Sequence, residues 1–329
     1  MLKQLSLLNG TSGFEETVSA VLTEKMKACC DKVFRDNIGN LYAFKKGTDL
    51  GQTVALFAHT DEVALIISSI TPEGLLKFRT VGGIDESVLV GKRVTVGPSS
   101  ISGVIGARAV HLMSDAQKKE KLPLEKLYID IGAVSAEQAE TVVKKGDVAY
   151  FEGFWHETKT HIFGKAFDDR AGCAILAELA KNTYAHDIWF VFTTQEEVGT
   201  RGATVASRRI DADVYIVVEN TTCLDMPDVE KEKRSTNCGD GPAITIADGA
   251  SFANLEVRSR LAQTDISHQF KNVTAGGNDA RAIASNGKKV AAVSCPCRYL
   301  HAQVGVIAKE DFKNTVNLLD AYLKGESLC

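Results

Sequence analysis

Several residues able to bind cations or move protons stand directly after apolar runs of this chain. "TVALFA" is followed by "HTDEV", which supplies His59 and Asp61, and "DIWFVFTT" by "QEEVG", which supplies Glu196 and Glu197. "DVYIVV" leads into Glu219, and "KKVAAVS" into "CPCRYLHA", which carries His301. A further pair, Asp168 and Asp169 in "KAFDDRAG", precedes the helical pattern "AGCAILAELAK". One aspartate there is explained as a helix N-cap, but not both. Two imidazoles with several carboxylates form a hard-to-borderline donor set that suits zinc, cobalt or manganese, and carboxylates can bridge two such ions. Each element has an ordinary explanation as a loop or strand-end residue, yet together they share one kind of position. Neighbours on an extended chain point to opposite faces, so Glu196 and Glu197 can do different work.

The elements that must place these residues are legible in the apolar texture. Strands apolar along their whole length, alternating with helical patterns such as "RAGCAILAELAKN" and "KEDFKNTVNLLDAYLKG", predict an α/β fold with a mainly parallel, helix-covered sheet. Ligand sites in such sheets lie beyond the carboxyl ends of the strands, where the candidates above stand. Between residues 65 and 160 the texture changes to short alternating runs with glycine punctuation ("ALIISSI", "KRVTVG", "ISGVIGARAV", "KLYIDIGA", "DVAYFEG"), which predicts an inserted small β domain or barrel. The expected organisation is therefore a domain of residues 1–64 plus 161–329, interrupted by an insert of residues 65–160. "NTTCLDMPDVEKEKRSTNCGDGP" reads as a solvated loop, and "GGNDARAI" as a loop-to-helix start that brings Asp279 and Arg281 to the substrate or serves only the fold.

Composition narrows the function classes. With 38 basic and 42 acidic residues the net charge is −4, and no Lys/Arg block is long enough to follow a phosphate backbone, which argues against nucleic acid. Charged residues at 24% and apolar ones at 44% are ordinary globular usage. No run approaches the roughly 18 apolar residues of a membrane-spanning helix, and "MLKQLSLLNGTSGFEE" reads as neither signal peptide nor anchor. The eight cysteines, none in a C-x-x-C pair, read as reduced thiols of a cytoplasmic protein. Cys295 and Cys297, in C-x-C spacing near His301, read as small packing residues before ligands.

The blocks "AHTDEV", "KAFDDRAGCA", "TTQEEVGTRGA", "VVEN" and "RYLHA", in this order, resemble the ligand-bearing blocks of the tetrahedral aminopeptidase family, dinuclear metallopeptidases also described as glutamyl aminopeptidases or cellulase-M-like endoglucanases. The resemblance extends over nearly the whole chain, through "TSGFEE", "DNIGNLYA", "VGGIDESVLVGKRVTV" and "GGNDARAI". It implies the metallo-exopeptidase fold and two divalent ions per subunit, zinc or cobalt before manganese. His59 would bind one ion, Asp168 would bridge both, Glu197 and Glu219 would each ligate one, and His301 would complete the second. Glu196 would act as general base toward a bridging metal-bound hydroxide, and Asp61 would orient His59. The bond after Asp168 is often cis in such families. The resemblance further implies short peptide substrates cut at their N-terminal residue, dimerisation through the insert, and dimers assembled to a dodecamer. The chain departs from the family pattern at Glu219, where Asp is usual, at Ala64, where Gly is favoured, and at Gly305, where an acidic residue is common. Two other readings stay open: a glycoside hydrolase of endoglucanase type, and a metal-binding assembly protein weakened in turnover.

Overall fold

The computed structural model describes residues 1–49, 51–112, 114–115, 122–230, 234–272 and 276–325. Its contacts divide the chain into two units, one of Met1–Glu62, Phe154–Leu300 and Val304–Cys329, the other of Val63–Gly153 and His301–Gln303. In chain order the first unit opens with helices α1 (Leu2–Leu7) and α2 (Glu16–Lys27) and strands β1 (Lys32–Arg35), β2 (Leu41–Lys45) and β3 (Thr53–His59). The second unit holds β4 (Ala64–Ile70), β5 (Leu76–Val81), β6 (Arg93–Val96), β7 (Ile101–Gly106), β8 (Tyr128–Asp130), helix α3 (Ala136–Glu140) and β9 (Val148–Phe151). The first then resumes with β10 (Trp155–Glu157), β11 (His161–Gly164), α4 (Phe167–Leu179), β12 (Asp187–Thr193), α5 (Arg201–Arg209) and β13 (Val214–Thr222). It ends with β14 (Ala243–Thr245), α6 (Leu255–Ala262), β15 (Gln269–Lys271), α7 (Ala280–Ser285), β16 (Val290–Arg298), β17 (Gly305–Ala308) and α8 (Lys309–Leu323).

The large sheet runs β1-β2-β12-β3-β13-β16-β17-β11-β10, with β14 and β15 branching from β16. Its middle is the parallel set the apolar runs predict: β12 beside β3, β3 beside β13, β13 beside β16. Antiparallel strands extend it on both flanks, so the parallel character belongs to the four central strands and to the β14–β15 branch and not to the whole sheet. β10, which the change of texture assigned to the insert, pairs with β11 in this sheet. The loop after β13 is described except for residues 231–233.

Period-two alternation explains why the central strands are apolar throughout. Leu56, Ala58, Phe190, Phe192, Ile216, Val218 and Val293 face one core, shared with Ala171, Ile175 and Leu176 of α4 and Leu318 and Leu319 of α8. Their neighbours Ala55, Phe57, Val191, Tyr215, Val217 and Ala292 face the other, against Ala203 and Ala206 of α5 and Ile283 of α7. Each of these strand residues thus meets a helix layer, and polar side chains such as Glu219 and Ser294 enter only past these apolar stretches. One close approach demands glycine: a Cβ on Gly172 would lie 2.4 Å from the Val218 carbonyl oxygen. The second unit is a closed barrel, β4-β5-β8-β7-β6-β9, around Leu65, Ile67, Leu76, Phe78, Val94, Val96 and Ile129. Closure removes the unpaired edges that six short strands would otherwise expose.

Candidate metal centre

β3 and β12 run in register, Phe192 opposite Ala58 and Thr193 opposite His59, so their following loops emerge at one edge of the sheet. From that edge His59, Asp168 and Glu197 offer one nitrogen and two carboxylate oxygens within 4.8 Å of one another. His59 Nε2 lies 3.2 Å from Asp168 Oδ1. Asp168 is presented by the start of α4, where Ala166 has φ 52° and the Asp168–Asp169 peptide is cis. The two aspartates divide their work. Asp169 accepts the His59 amide at 3.1 Å and the Gly172 amide at 2.9 Å, the second being the capping bond an aspartate makes three residues ahead. Asp168 faces the imidazole.

Asp61 fixes two sides of the site at once. Its Oδ1 lies 3.4 Å from His59 Nδ1 and accepts the Glu196 amide at 3.0 Å. Its Oδ2 accepts the Glu197 amide at 3.2 Å and the Ser12 hydroxyl at 2.6 Å. The loop that bears Glu196 and Glu197 is turned by positive φ at Gln195 and Thr200 and is further tied by the Gln195 amide to Glu15 Oε1 at 3.1 Å.

Beneath these groups lies a buried ionic network. Arg170 donates to the carbonyls of Leu5, Leu8, Gly10 and Thr60 and to Glu62. Lys165 donates to both Glu62 oxygens, at 2.8 and 2.7 Å, and to Asn9. The N-terminal segment is thereby pinned to the loop after β3. Motif reading missed this network, as it missed Ser12 and Asn278; adjacency to "HTDE" and "FDDR" was the available signal.

Glu219 lies outside the three-residue group. Its Oε1 accepts Asn278 Nδ2 at 2.6 Å and the Ser294 hydroxyl at 3.2 Å. Asp279 is buried, with one oxygen accepting the Thr193 hydroxyl at 2.6 Å and the other, Oδ1, without a hydrogen-bond partner, whereas Arg281 is exposed. His301 groups with the second unit, where its Nδ1 lies 2.6 Å from the Gly83 carbonyl oxygen.

Electrostatically the site is over-supplied with acid. Burial pushes Glu196 up, and repulsion from Asp279, Glu197 and Asp168 adds to it. Burial raises Glu219 to about 7, against the opposing pull of Lys271 and with the support of Asp168 and Asp248. Burial disfavours a charged His59, yet its bonds to Asp168 and Asp61 hold the imidazole well above its ordinary value. A divalent cation held by His59, Asp168 and Glu197 would offset the repulsion among the acids there, and the nitrogen-and-carboxylate donor set is of the type such cations take. The residues present therefore fit a bound metal.

Comparison with known proteins gives the chain its relatives. The family described as M42 glutamyl aminopeptidase matches residues 39–318. The chain is similar to the TET aminopeptidase of the marine sediment archaeon Thaumarchaeota archaeon SCGC AB-539-E09, with 32% identity and a TM-score of 0.93 over 98% of this chain and 94% of that one. It is similar to the TET1 peptidase of Pyrococcus horikoshii, which can assemble into a tetrahedron or a large octahedral shell, with 32% identity and a TM-score of 0.85 over 98% of both chains. A structure described as an endoglucanase, from Thermotoga maritima, shows 33% identity and a TM-score of 0.83 over 100% of this chain and 98% of that one.

Proposed function

The chain belongs to the M42 glutamyl aminopeptidase family and is by that membership an aminopeptidase, and we propose that it removes N-terminal residues from short peptides by metal-assisted hydrolysis. The observation that carries the reading is the gathering of His59, Asp168 and Glu197 into one donor group, with Asp61 bound to His59 and to the backbone of Glu196 and Glu197. We assign these three as the residues that would hold two divalent ions, zinc, cobalt or manganese, with Asp168 serving both and Glu219 and His301 as further ligands. When bound, the cations would supply Lewis acidity, polarising the scissile carbonyl and lowering the pKa of the attacking water. Glu196 accepts that water's proton at its carboxylate and returns it to the departing amine. Asp61 keeps the His59 ring oriented and Glu196 at a fixed height above the strand end.

The glycosidase reading is not favoured. It needs two carboxyl groups about 5–5.5 or 6.5–9.5 Å apart flanking a sugar bond and has no use for His59 and its ordered partner. Self-association suits the chain, which exposes Val134, Phe252 and Leu255. We propose a homo-oligomer built from dimers; the similar TET1 peptidase can assemble into a tetrahedron or a large octahedral shell, and light scattering that returns a monomer would remove the proposal.

The test combines metal analysis with activity. Purified protein is analysed for bound zinc, cobalt and manganese, then assayed on amino-acid p-nitroanilides and a soluble glucan, before and after chelation and as Glu196→Gln. Expected are bound divalent metal, peptidase activity abolished by chelator and restored by metal, and a loss of about 10²–10⁴-fold in Glu196→Gln with metal retained. Peptidase activity that persists without metal or without Glu196 overturns the mechanism, and glucan cleavage alone overturns the substrate class.

A further inference from the structure

The loop that follows β13 carries Cys223 at its start and Cys238 near its end, and both are thiols in the structure. Its two arms are joined as a ladder. The Leu224 amide donates to the Thr236 carbonyl at 2.9 Å, and the Thr236 hydroxyl donates to the Thr222 carbonyl at 2.6 Å. The Cys238 amide donates to Asp225 Oδ2 at 3.3 Å, and Asp225 is in turn held by Arg298 Nε at 3.0 Å. The flanking backbone is fixed as well: the Asn237 amide meets Gln269 Oε1 at 2.8 Å, the Gly239 amide meets Asp311 Oδ2 at 2.7 Å, and the Cys223 amide meets the Cys297 carbonyl at 2.9 Å. These constraints hold the two arms against each other with a cysteine on each, Cys223 one residue before Leu224 and Cys238 two after Thr236, and each thiol is the first influence on the other's acidity.

We propose that Cys223 and Cys238 form a redox modification site, closing to a reversible disulfide that fastens the two arms of this loop together.

The pair is chemically differentiated in the way such exchange requires. Cys238, partly exposed, is held below the ordinary thiol value by the hydrogen bond from Cys223, with the Arg298 cation adding to it. Cys223 is buried and pushed up by that same bond and by burial. Cys238 is therefore the attacking thiolate and Cys223 the resolving thiol. With a low-molecular-weight disulfide such as oxidised glutathione, the Cys238 thiolate attacks one sulfur, the S–S bond of the oxidant breaks, and one glutathione thiolate leaves. Cys223 gives its proton to solvent and attacks the Cys238 sulfur of the mixed disulfide, displacing the second glutathione thiolate. Two protein thiols are oxidised to one disulfide and one glutathione disulfide is reduced to two thiols. Cys295 and Cys297 do not compete, since both are buried and their thiols are raised by burial.

The experiment equilibrates the purified, folded full-length protein in glutathione buffers from fully reduced to fully oxidised, blocks free thiols with N-ethylmaleimide and maps the peptides by mass spectrometry. The expected result is a bridged Cys223–Cys238 peptide at the oxidising end and two alkylated peptides at the reducing end. The ratio between them should change about tenfold for each ~30 mV of poise, as a two-electron couple requires. Cys238→Ser should abolish bridging of Cys223 and Cys223→Ser should leave Cys238 as the glutathione adduct. Both thiols alkylated at every poise, a wild-type adduct on Cys238 that never resolves, or bridging that requires denaturant would each overturn the proposal.

Discussion

Two polar clusters sit back to back in the larger unit, and the contrast between them separates support from chemistry. In the network of Glu62, Lys165 and Arg170, two cations meet one carboxylate and five main-chain or amide oxygens, and each donor group has its acceptor. In the cluster of His59, Asp168, Glu196 and Glu197, acid outweighs base and the carboxylates raise one another. The same stretches of chain feed both: Asp61 serves the acidic cluster and Glu62 the one whose hydrogen bonds are complete, Asp168 faces the imidazole and Arg170 the core. A buried network whose donors all find acceptors completes itself with groups of its own chain; an acidic one is completed by something it binds.

Charge removal tests that distinction. Arg170→Leu strips partners from four carbonyls and leaves Glu62 with Lys165 as its one cation, beside the Gly10 amide, so it should cost about 3–5 kcal/mol whether or not metal is present, read as a lowered midpoint in urea. Glu197→Gln should weaken metal retention by at least the 10–100-fold that loss of an outer partner costs, read by competition with a chelator. Its effect on stability should reverse with loading: the substitution relieves repulsion in metal-free protein and so raises the thermal midpoint, but lowers it when metal is bound, since a ligand stabilises the fold by its affinity. If Arg170→Leu also changes sign with loading, the two clusters are not different in kind. Ser12→Ala removes one donor from Asp61 and should cost about 0.5–1.5 kcal/mol, with kcat lowered and KM nearly unchanged in peptide assays. An altered KM at constant kcat would make Ser12 a substrate contact instead.

The parts of the site legible in the sequence were those written as residue types at strand ends. Continuous apolar runs show where a buried strand stops, and a histidine or carboxylate immediately beyond must stand at the sheet edge, which is why His59, Asp61, Glu196 and Glu197 were nameable in advance. The barrel was legible from the change of period. Contacts between distant segments were not: Ser12 reaches Asp61 across 49 residues and Asn278 reaches Glu219 across 59, and neither residue type advertises a partner. Arg170 was hidden for a different reason, since its acceptors are mostly main-chain carbonyls, which every residue has. The antiparallel flanks escaped because a short strand reads alike in either direction. Glu219, expected as a ligand, is held by Asn278 and Ser294, an arrangement that depends on β16 and on the loop before α7 and leaves no trace in "VVEN".

The shared anchor at Asp61 has a mechanical consequence. Because one carboxylate holds both the imidazole of His59 and the amides of Glu196 and Glu197, thermal displacement of either loop is passed to the other through a single mount. The spacing between nitrogen donor and proton acceptor should then fluctuate less than the position of each, much as two instruments bolted to one bench keep their alignment while the bench itself trembles.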